Sequence, residues 1–346
     1  MKIAKGRRID VIGIEISSDL FSCRGRCRYC LLGRKGRERF DHHRFLDLVE
    51  RFIDWAETDG RKLRILHGME HSSEYGVDAL KRQLDLNARL GWADATRGIR
   101  LGGLAERSGD DLGNWLRERR DRAGIRTVHA SLAGEGATHD RWHGRPGDFE
   151  RLYRTMAVAA ELELRMAQRL FLIRDTLADF DRLLDRLDVI GGHHERYLCL
   201  FYYRGLGSRL EEQRITEDIR DSLPPRLAGL DRRGRDGWRS EREWLDLSDD
   251  DDAPLPVHLK LKVTDANIGE LERSPCAAIV RRLEVRTRAA YSAIPPREEL
   301  GRWAGDRRNH RIYMGADDIE RKWLDIYLRD NPVGFERHLT HLAAGS

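Results

Sequence analysis

Three cysteines fall in one short run, Cys23-Arg-Gly-Arg-Cys27-Arg-Tyr-Cys30, a C-x3-C-x2-C spacing with an aromatic residue directly before the last thiol. Thiolates bind soft metals, and three of them this close can hold three irons of a [4Fe–4S] cube. The fourth iron is then left without a protein ligand, free to bind a small molecule and pass it an electron. The competing chemistry is a zinc site completed by His42 or His43. Zinc sites mostly draw on two separated C-x2-C pairs, or on two Cys and two His, so a single three-cysteine run favours the cluster. Cys199 and Cys276 stand alone, and the clustering of the others speaks for metal rather than disulfides.

The elements that must position this loop are legible in the hydrophobic pattern. Residues 9 to 16 are rich in β-branched side chains and read as a buried strand, with the cysteine run just after it. From Asp41 to Thr58, Phe45, Leu48, Val49, Phe52, Ile53 and Ala56 recur at helical spacing. Strand patterns return at residues 63–66, 98–104, 125–132, 164–173 and 196–203. Helical patterns separate or follow them at 77–90, 110–123, 149–162, 177–187 and 209–223. Residues 133–147 read as a polar, Gly-rich loop. About six strand–helix units in succession predict an α/β fold, a parallel sheet rolled into a partial (β/α)6 TIM-like barrel. Ligand sites in such folds lie at the carboxyl ends of the strands, and a loop following the first strand falls on that face.

The pattern changes near Pro224-Pro225, which breaks the helix before it. Residues 231–252 are charged and Gly-containing, with Trp238 and Trp244 embedded. Val257 to Val263 alternates as a half-exposed strand, residues 277–286 read as a further strand, and Asp317 to Leu328 as a terminal helix. The organisation expected is a core over 1–223 and a C-terminal α+β extension over 224–346 that binds or covers the substrate.

The cysteine run resembles the signature of the radical S-adenosylmethionine (radical SAM) enzymes, and Cys23, Cys27 and Cys30 match it with nothing missing. Two further stretches extend the resemblance. Where family members carry a Gly-Gly-Glu-like turn after the second strand, this chain reads His67-Gly68-Met69-Glu70, with Met69 in place of the second glycine. After the fourth strand, Ser131-Leu-Ala-Gly134, His139-Asp140 and Gly147-Asp-Phe149-Glu150 resemble a stretch of the branch that matures peptides and sulfatases. Ala133 replaces that branch's Asp, and His143 stands where it tends to have Arg. That branch's Cys-rich C-terminal domain is not here, since Cys199 and Cys276 cannot build auxiliary clusters.

The resemblance spans roughly residues 9 to 205 and implies a [4Fe–4S] cluster and S-adenosylmethionine as cofactors. It implies Cys23, Cys27 and Cys30 as iron ligands and Tyr29 beside the adenine. Gly68 and Glu70 would hold the amino group. Ser131 would meet the ribose or carboxylate, with Arg145 or Arg169 as the anion's partner. Reduced flavodoxin or ferredoxin would donate the electron, and a peptide or small natural product would be the substrate. By themselves, His139-Asp140 read as a turn and helix-start pair and Gly102-Gly103 as strand-end geometry.

Composition narrows the alternatives. The 346 residues carry 63 Lys and Arg against 59 Asp and Glu, a net charge of +4, too balanced to imply nucleic-acid binding. A radical SAM enzyme acting on a nucleotide or RNA is the second reading, and would show a basic face. A zinc-stabilised binding protein without catalysis is the third. No run of about 18 apolar residues occurs, so no membrane span is expected. The N-terminus lacks the apolar segment of a secretion signal, and the expected location is cytoplasmic.

Overall fold

The computed structural model describes residues 7–18, 23–31, 41–68, 74–91, 97–230, 237–247, 254–305 and 309–331. In chain order the first part runs β1 (Ile9–Ser18), α1 (His42–Thr58), β2 (Arg64–Gly68), α2 (Val77–Arg89), β3 (Gly98–Arg100), α3 (Gly109–Ala123) and β4 (Thr127–Leu132). It continues with α4 (Gly136–His143), α5 (Asp148–Glu161), β5 (Arg165–Phe171), α6 (Phe180–Ile190) and β6 (His193–Cys199). Beyond these come α7 (Glu217–Asp221), α8 (Pro225–Ala228), β7 (Arg239–Ser240), α9 (Glu241–Leu245) and β8 (Leu255–Val263). The chain ends with α10 (Asp265–Arg273), α11 (Cys276–Ser292), α12 (Arg297–Trp303), β9 (Ile312–Tyr313) and α13 (Ala316–Asp330).

The fold is α/β with parallel sheets. One sheet has the order β2-β1-β8 and the other β3-β4-β5-β6, and every neighbouring pair in both is parallel. This is the strand arrangement of a partial barrel, with helices on the outer side. β7 and β9 form a separate antiparallel pair. β8, expected in the C-terminal extension, pairs with β1 from Ile9 to Ser18, with a register shift between Val11 and Gly13, and sets Glu15 opposite Lys260 and Ser17 opposite Lys262.

Side-chain alternation sets the two faces of each sheet. Ile14 and Ile16 are fully buried in one core with Phe45, Val49 and Phe52 of α1 and Leu259 and Val263 of β8. Glu15 and Ser17 therefore point to the opposite, inner face. Val128, Ala130 and Leu132 pack in a second core with Phe149, Leu152 and Met156 of α5, which leaves His129 and Ser131 inward. Burying each large apolar side chain contributes roughly 2 kcal/mol, and this burial rather than helix propensity holds the layers together. Helix ends are fixed locally: the Asp41 carboxylate accepts from the His43 N–H at 2.9 Å, and Ser108 caps α3. Among the described residues, no helix is long and apolar enough to cross a membrane.

Three segments differ from the expectation. The stretch after β4, read as a loop, contains the helix α4. Its buried positions are His139, Trp142 and His143, polar or mixed side chains that hide the hydrophobic period. Residues 277–286 are helical rather than a strand, because Cys276, Ile279, Val280 and Leu283 form one apolar stripe at helical spacing. The long helix expected at 209–223 is broken into short turns and α7. Arg214 takes extended backbone there (φ −71°, ψ 144°) and sinks its guanidinium between Phe201 and Tyr313, 4.7 and 4.4 Å from the ring centroids.

Candidate functional site

The cysteine loop is fastened from three sides by backbone hydrogen bonds. Arg24 N–H donates to Gly103 O at 2.8 Å, just past β3. Arg26 N–H donates to His143 O at 2.9 Å and Arg28 N–H to Trp142 O at 2.8 Å, both at the end of α4. Leu206 N–H donates to Cys30 O at 2.9 Å from the segment after β6. The loop thus bridges the strand ends of both sheets.

Gly103 is more than strand-end geometry. It sits at φ +70°, and a methyl group there would lie 2.1 Å from the Cys23 sulfur and 3.1 Å from the Gly25 nitrogen. Gly102, by contrast, has open space where its methyl would go. The third strand therefore ends in a bare backbone surface against which the first cysteine rests.

All three thiols are half-buried. Burial pushes the Cys23 thiol up to about 11, against a backbone hydrogen bond from Gly25 that lowers it. Burial, followed by the neighbouring Cys23 and Cys30, pushes Cys27 up further still. As free groups Cys23 and Cys27 would stay protonated; a bound metal reverses that, because it needs thiolates and supplies the compensating charge. Among the described residues, only His139, His143 and Asp148 bring three donor atoms within 4.8 Å of one another. Three thiols gathered in one loop are a soft donor set of the kind that holds iron in a cluster. His42 stacks on Tyr75, ring centroids 5.1 Å apart.

Behind the loop sits a buried polar relay that sequence reasoning did not find. The Tyr29 hydroxyl is 2.9 Å from His143 Nε2, and His143 Nδ1 is 3.0 Å from Asp148 Oδ2. An ionised carboxylate only accepts, so Nδ1 carries the proton; in the neutral imidazole Nε2 then accepts and Tyr29 donates. His139 adds a parallel arm: Nδ1 accepts from the Ala133 N–H at 3.3 Å, leaving Nε2–H facing Asp148 at a long 3.5 Å. Arg145 and Arg151 reach the other carboxylate oxygen at 3.3 and 3.6 Å. Desolvation raises the Asp148 pKa, but hydrogen bonds from His139 and His143 outweigh it and hold the carboxyl well below the usual range. Burial lowers His139 to about 4. With two guanidiniums already on Asp148, this trio is a hydrogen-bonded cluster rather than a second metal site. The available signal was the pair His139 and His143, four apart on one helix face.

The other expected site residues are placed as follows. Tyr29 is buried against Phe171, ring centroids 4.6 Å apart, in a cluster with Trp142, Ala133, Cys199 and Phe201. Gly68 ends β2 beside Ser17 at the end of β1. Glu70 lies outside the described residues. Ser131 is on the inner face of β4, directly beside Arg169 of β5, and Arg169 Nε donates to the Tyr197 hydroxyl at 2.9 Å. Arg145 is committed elsewhere, to Leu104 O at 2.6 Å and to Asp148. His139 and Asp140 lie within α4; Asp140 accepts from the Gly147 and Phe149 N–H groups at 2.5 and 2.8 Å and closes the turn into α5. Cys199 is buried, 3.9 Å from the Met314 sulfur.

Compared with known proteins, the chain is similar in structure to radical SAM enzymes at low identity and over part of its length. Streptococcus suis SuiB bound to its precursor peptide SuiA matches with a TM-score of 0.41 and 11% identity, covering 62% of this chain and 45% of that one. Escherichia coli coproporphyrinogen III oxidase HemN, a radical SAM enzyme, matches at 0.38 and 15%, covering 65% and 51%. The radical S-adenosylmethionine methyltransferase TsrM from Kitasatospora setae, solved with cobalamin and a [4Fe–4S] cluster, matches at 0.33 and 14%, covering 71% and 44%. The chain spans about half or less of the length of each. No family model and no curated protein matches it.

Proposed function

We propose that this chain is a radical SAM enzyme in which Cys23, Cys27 and Cys30 hold three irons of a [4Fe–4S] cluster and S-adenosylmethionine takes the fourth. The observation that carries this reading is the placement of the three thiols in one loop just past β1, fastened to the ends of the parallel strands. When bound, the pair supplies a one-electron cleavage of the S–C5′ bond, giving methionine and a 5′-deoxyadenosyl radical that takes hydrogen from a substrate C–H. The electron would come from a reduced flavodoxin or ferredoxin.

The chain's own residues hold, orient and exclude. The bonds to Gly103, Trp142 and His143 hold the described part of the loop in place without any cofactor, which reduces the ordering that binding must supply. Tyr29, locked through its hydroxyl, packs beneath the loop and keeps water from the buried side. Ser131 and Arg169 present a hydroxyl and a guanidinium side by side on the inner face, a natural pair for the ribose and carboxylate of S-adenosylmethionine. With Arg145 committed to Asp148, Arg169 is the better candidate for the anion. Gly68 and Glu70 are assigned to the amino group by resemblance. We take the substrate to be a peptide or small natural product.

Anaerobic reconstitution with iron and sulfide tests the reading. The expected product is a brown protein with about four irons and four sulfides per chain, which forms 5′-deoxyadenosine from S-adenosylmethionine and dithionite. Alanine at Cys23, Cys27 or Cys30 should abolish both, whereas alanine at Cys276 should leave the iron content unchanged. A colourless protein carrying one zinc would sink the proposal.

A further inference from the structure

A cavity of about 230 Å³ lies between β8 and α13. Arg204, from the segment after β6, His258 and Lys260 of β8, and Arg321 of α13 all line it. Lys260 is paired with Glu15, its register partner on β1. The others are not satisfied: Arg204 Nε, Arg321 Nη1 and His258 Nε2 are all buried without a hydrogen-bond partner. Buried N–H groups in folded proteins nearly always have an acceptor, so two guanidinium orphans on one small cavity call for a ligand. Electrostatics point the same way. Burial lowers the Arg321 pKa most and repulsion from Arg204 lowers it further, while Asp325, Asp318 and Asp317 raise it by less.

The carboxylates nearby do not fill that role. Glu320 is engaged by Arg7, and Asp317 and Asp325, on the same helix as Arg321, leave its Nη1 without a bond. The remaining walls are apolar, formed by Val257, Ile294 and Leu324 among others. Two guanidiniums match the planar, two-oxygen geometry of a carboxylate. Asp317 and Asp325 repel any anion in the cavity, and a singly charged carboxylate less than the higher charge of phosphate.

We propose that this cavity binds a carboxylate borne on an apolar group of about amino-acid size, with Arg204 and Arg321 on the carboxylate and Val257, Ile294 and Leu324 around the apolar part. One backbone contact runs from the Arg204 segment to the cysteine loop. Gly205 follows Arg204, and a methyl group on it would lie 2.5 Å from Cys30 O. The backbone next to Arg204 therefore packs on the loop, while the cavity itself is lined by the amino-terminal half of β8. The step from ligand to substrate rests on the radical SAM reading; the binding itself does not.

Calorimetry on the full, cluster-free chain tests the site with N-acetyl-L-leucine as probe. Saturable binding is expected, weakened about tenfold or more for N-acetyl-L-leucinamide and for Arg321→Gln, the loss of one charged hydrogen-bond pair. Arg204→Gln should do the same. Arg321→Lys guards against misfolding: it keeps the charge without the fork and should retain part of the affinity. Inorganic phosphate should not compete. Absence of saturable binding, equal affinity for acid and amide, indifference to both arginine variants, or displacement by phosphate would each overturn the proposal. Reconstitution with iron and the 5′-deoxyadenosine assay are scored separately, so failure of the radical chemistry is distinguishable from failure of this site.

Discussion

The Tyr29 hydroxyl donates to His143 Nε2 across 2.9 Å, and so joins the cysteine loop to the helix that carries its backbone anchors. Removing the donor with Tyr29→Phe leaves a buried imidazole nitrogen unpaired, a cost of about 1–3 kcal/mol. Asp148→Asn strikes harder, because two imidazoles and two guanidiniums lose their shared charge; a loss of about 3 kcal/mol or more is expected. Both variants should also reconstitute with less iron per chain, and His143→Gln, which keeps a polar side chain, should recover part of what His143→Ala loses. Urea unfolding and iron analysis read the two effects separately. If Asp148→Asn bound a full complement of iron at unchanged stability, the relay would have no part in holding the loop.

Gly103 and Gly102 make a matched pair of substitutions one residue apart. Gly103→Ala forces a methyl into the Cys23 sulfur at a positive φ, while Gly102→Ala meets open space. We expect Gly103→Ala to displace the cysteine loop and prevent cluster assembly even where the protein stays folded. Gly102→Ala should assemble a cluster with the same visible absorption as the parent. Equal cluster yields from the two variants would show that the contact is not needed.

Much of this was legible in the sequence because it was local. The alternation of β-branched and amphipathic stretches gave the parallel core, and the spacing of Cys23, Cys27 and Cys30 marked them as a candidate site. What escaped was written in tertiary contact. The β8 pattern marks a strand with one buried face, but nothing local says that its partner is β1, some 240 residues earlier. The relay escaped for another reason. His139, His143 and Asp148 occupy buried positions with polar side chains, so α4 lacks the apolar period that marks a helix. Gly103 was ambiguous because a glycine's reason lies in the atoms of another segment. The stripe of α11, in contrast, was present and was outweighed by its β-branched Ile279 and Val280.

Stability should fall as the pH drops from neutral, and buried histidines set the window. Burial lowers His67, His129 and His139 to about 4 from 6.5, with Arg100 and Arg169 adding to the effect at His129. Between those values the unfolded chain binds protons that the native chain refuses, so the unfolding free energy rises with pH there and is lost on acidification. Asp148, held below its ordinary value, contributes stability above its unfolded pKa and loses it at lower pH, below about 4. The two effects act in sequence. Urea midpoints should therefore decline from about pH 6.5 downward and collapse below about 4. In a His67→Gln variant the slope between these limits should shrink by up to one proton; an unchanged slope would show that His67 titrates normally.

The pairing of β8 with β1 makes the region after residue 223 necessary for the core to fold. Leu259, Leu261 and Val263 of β8 share their core with Ile14, Ile16 and Phe52. Losing those three contacts alone removes about 6 kcal/mol of burial, as large as the net stability of many domains. Truncation would also bare the N–H and C=O groups along one edge of β1, an invitation to aggregate. A chain ending at residue 223 is therefore expected to be insoluble or to unfold without a cooperative transition, and to fail to assemble a cluster although it retains all three cysteines. Supplying residues 224–346 as a separate chain during refolding should restore part of the soluble fraction, because the lost interactions lie between the two pieces. A soluble 1–223 fragment with a sharp urea transition would show instead that β1 closes the sheet without β8.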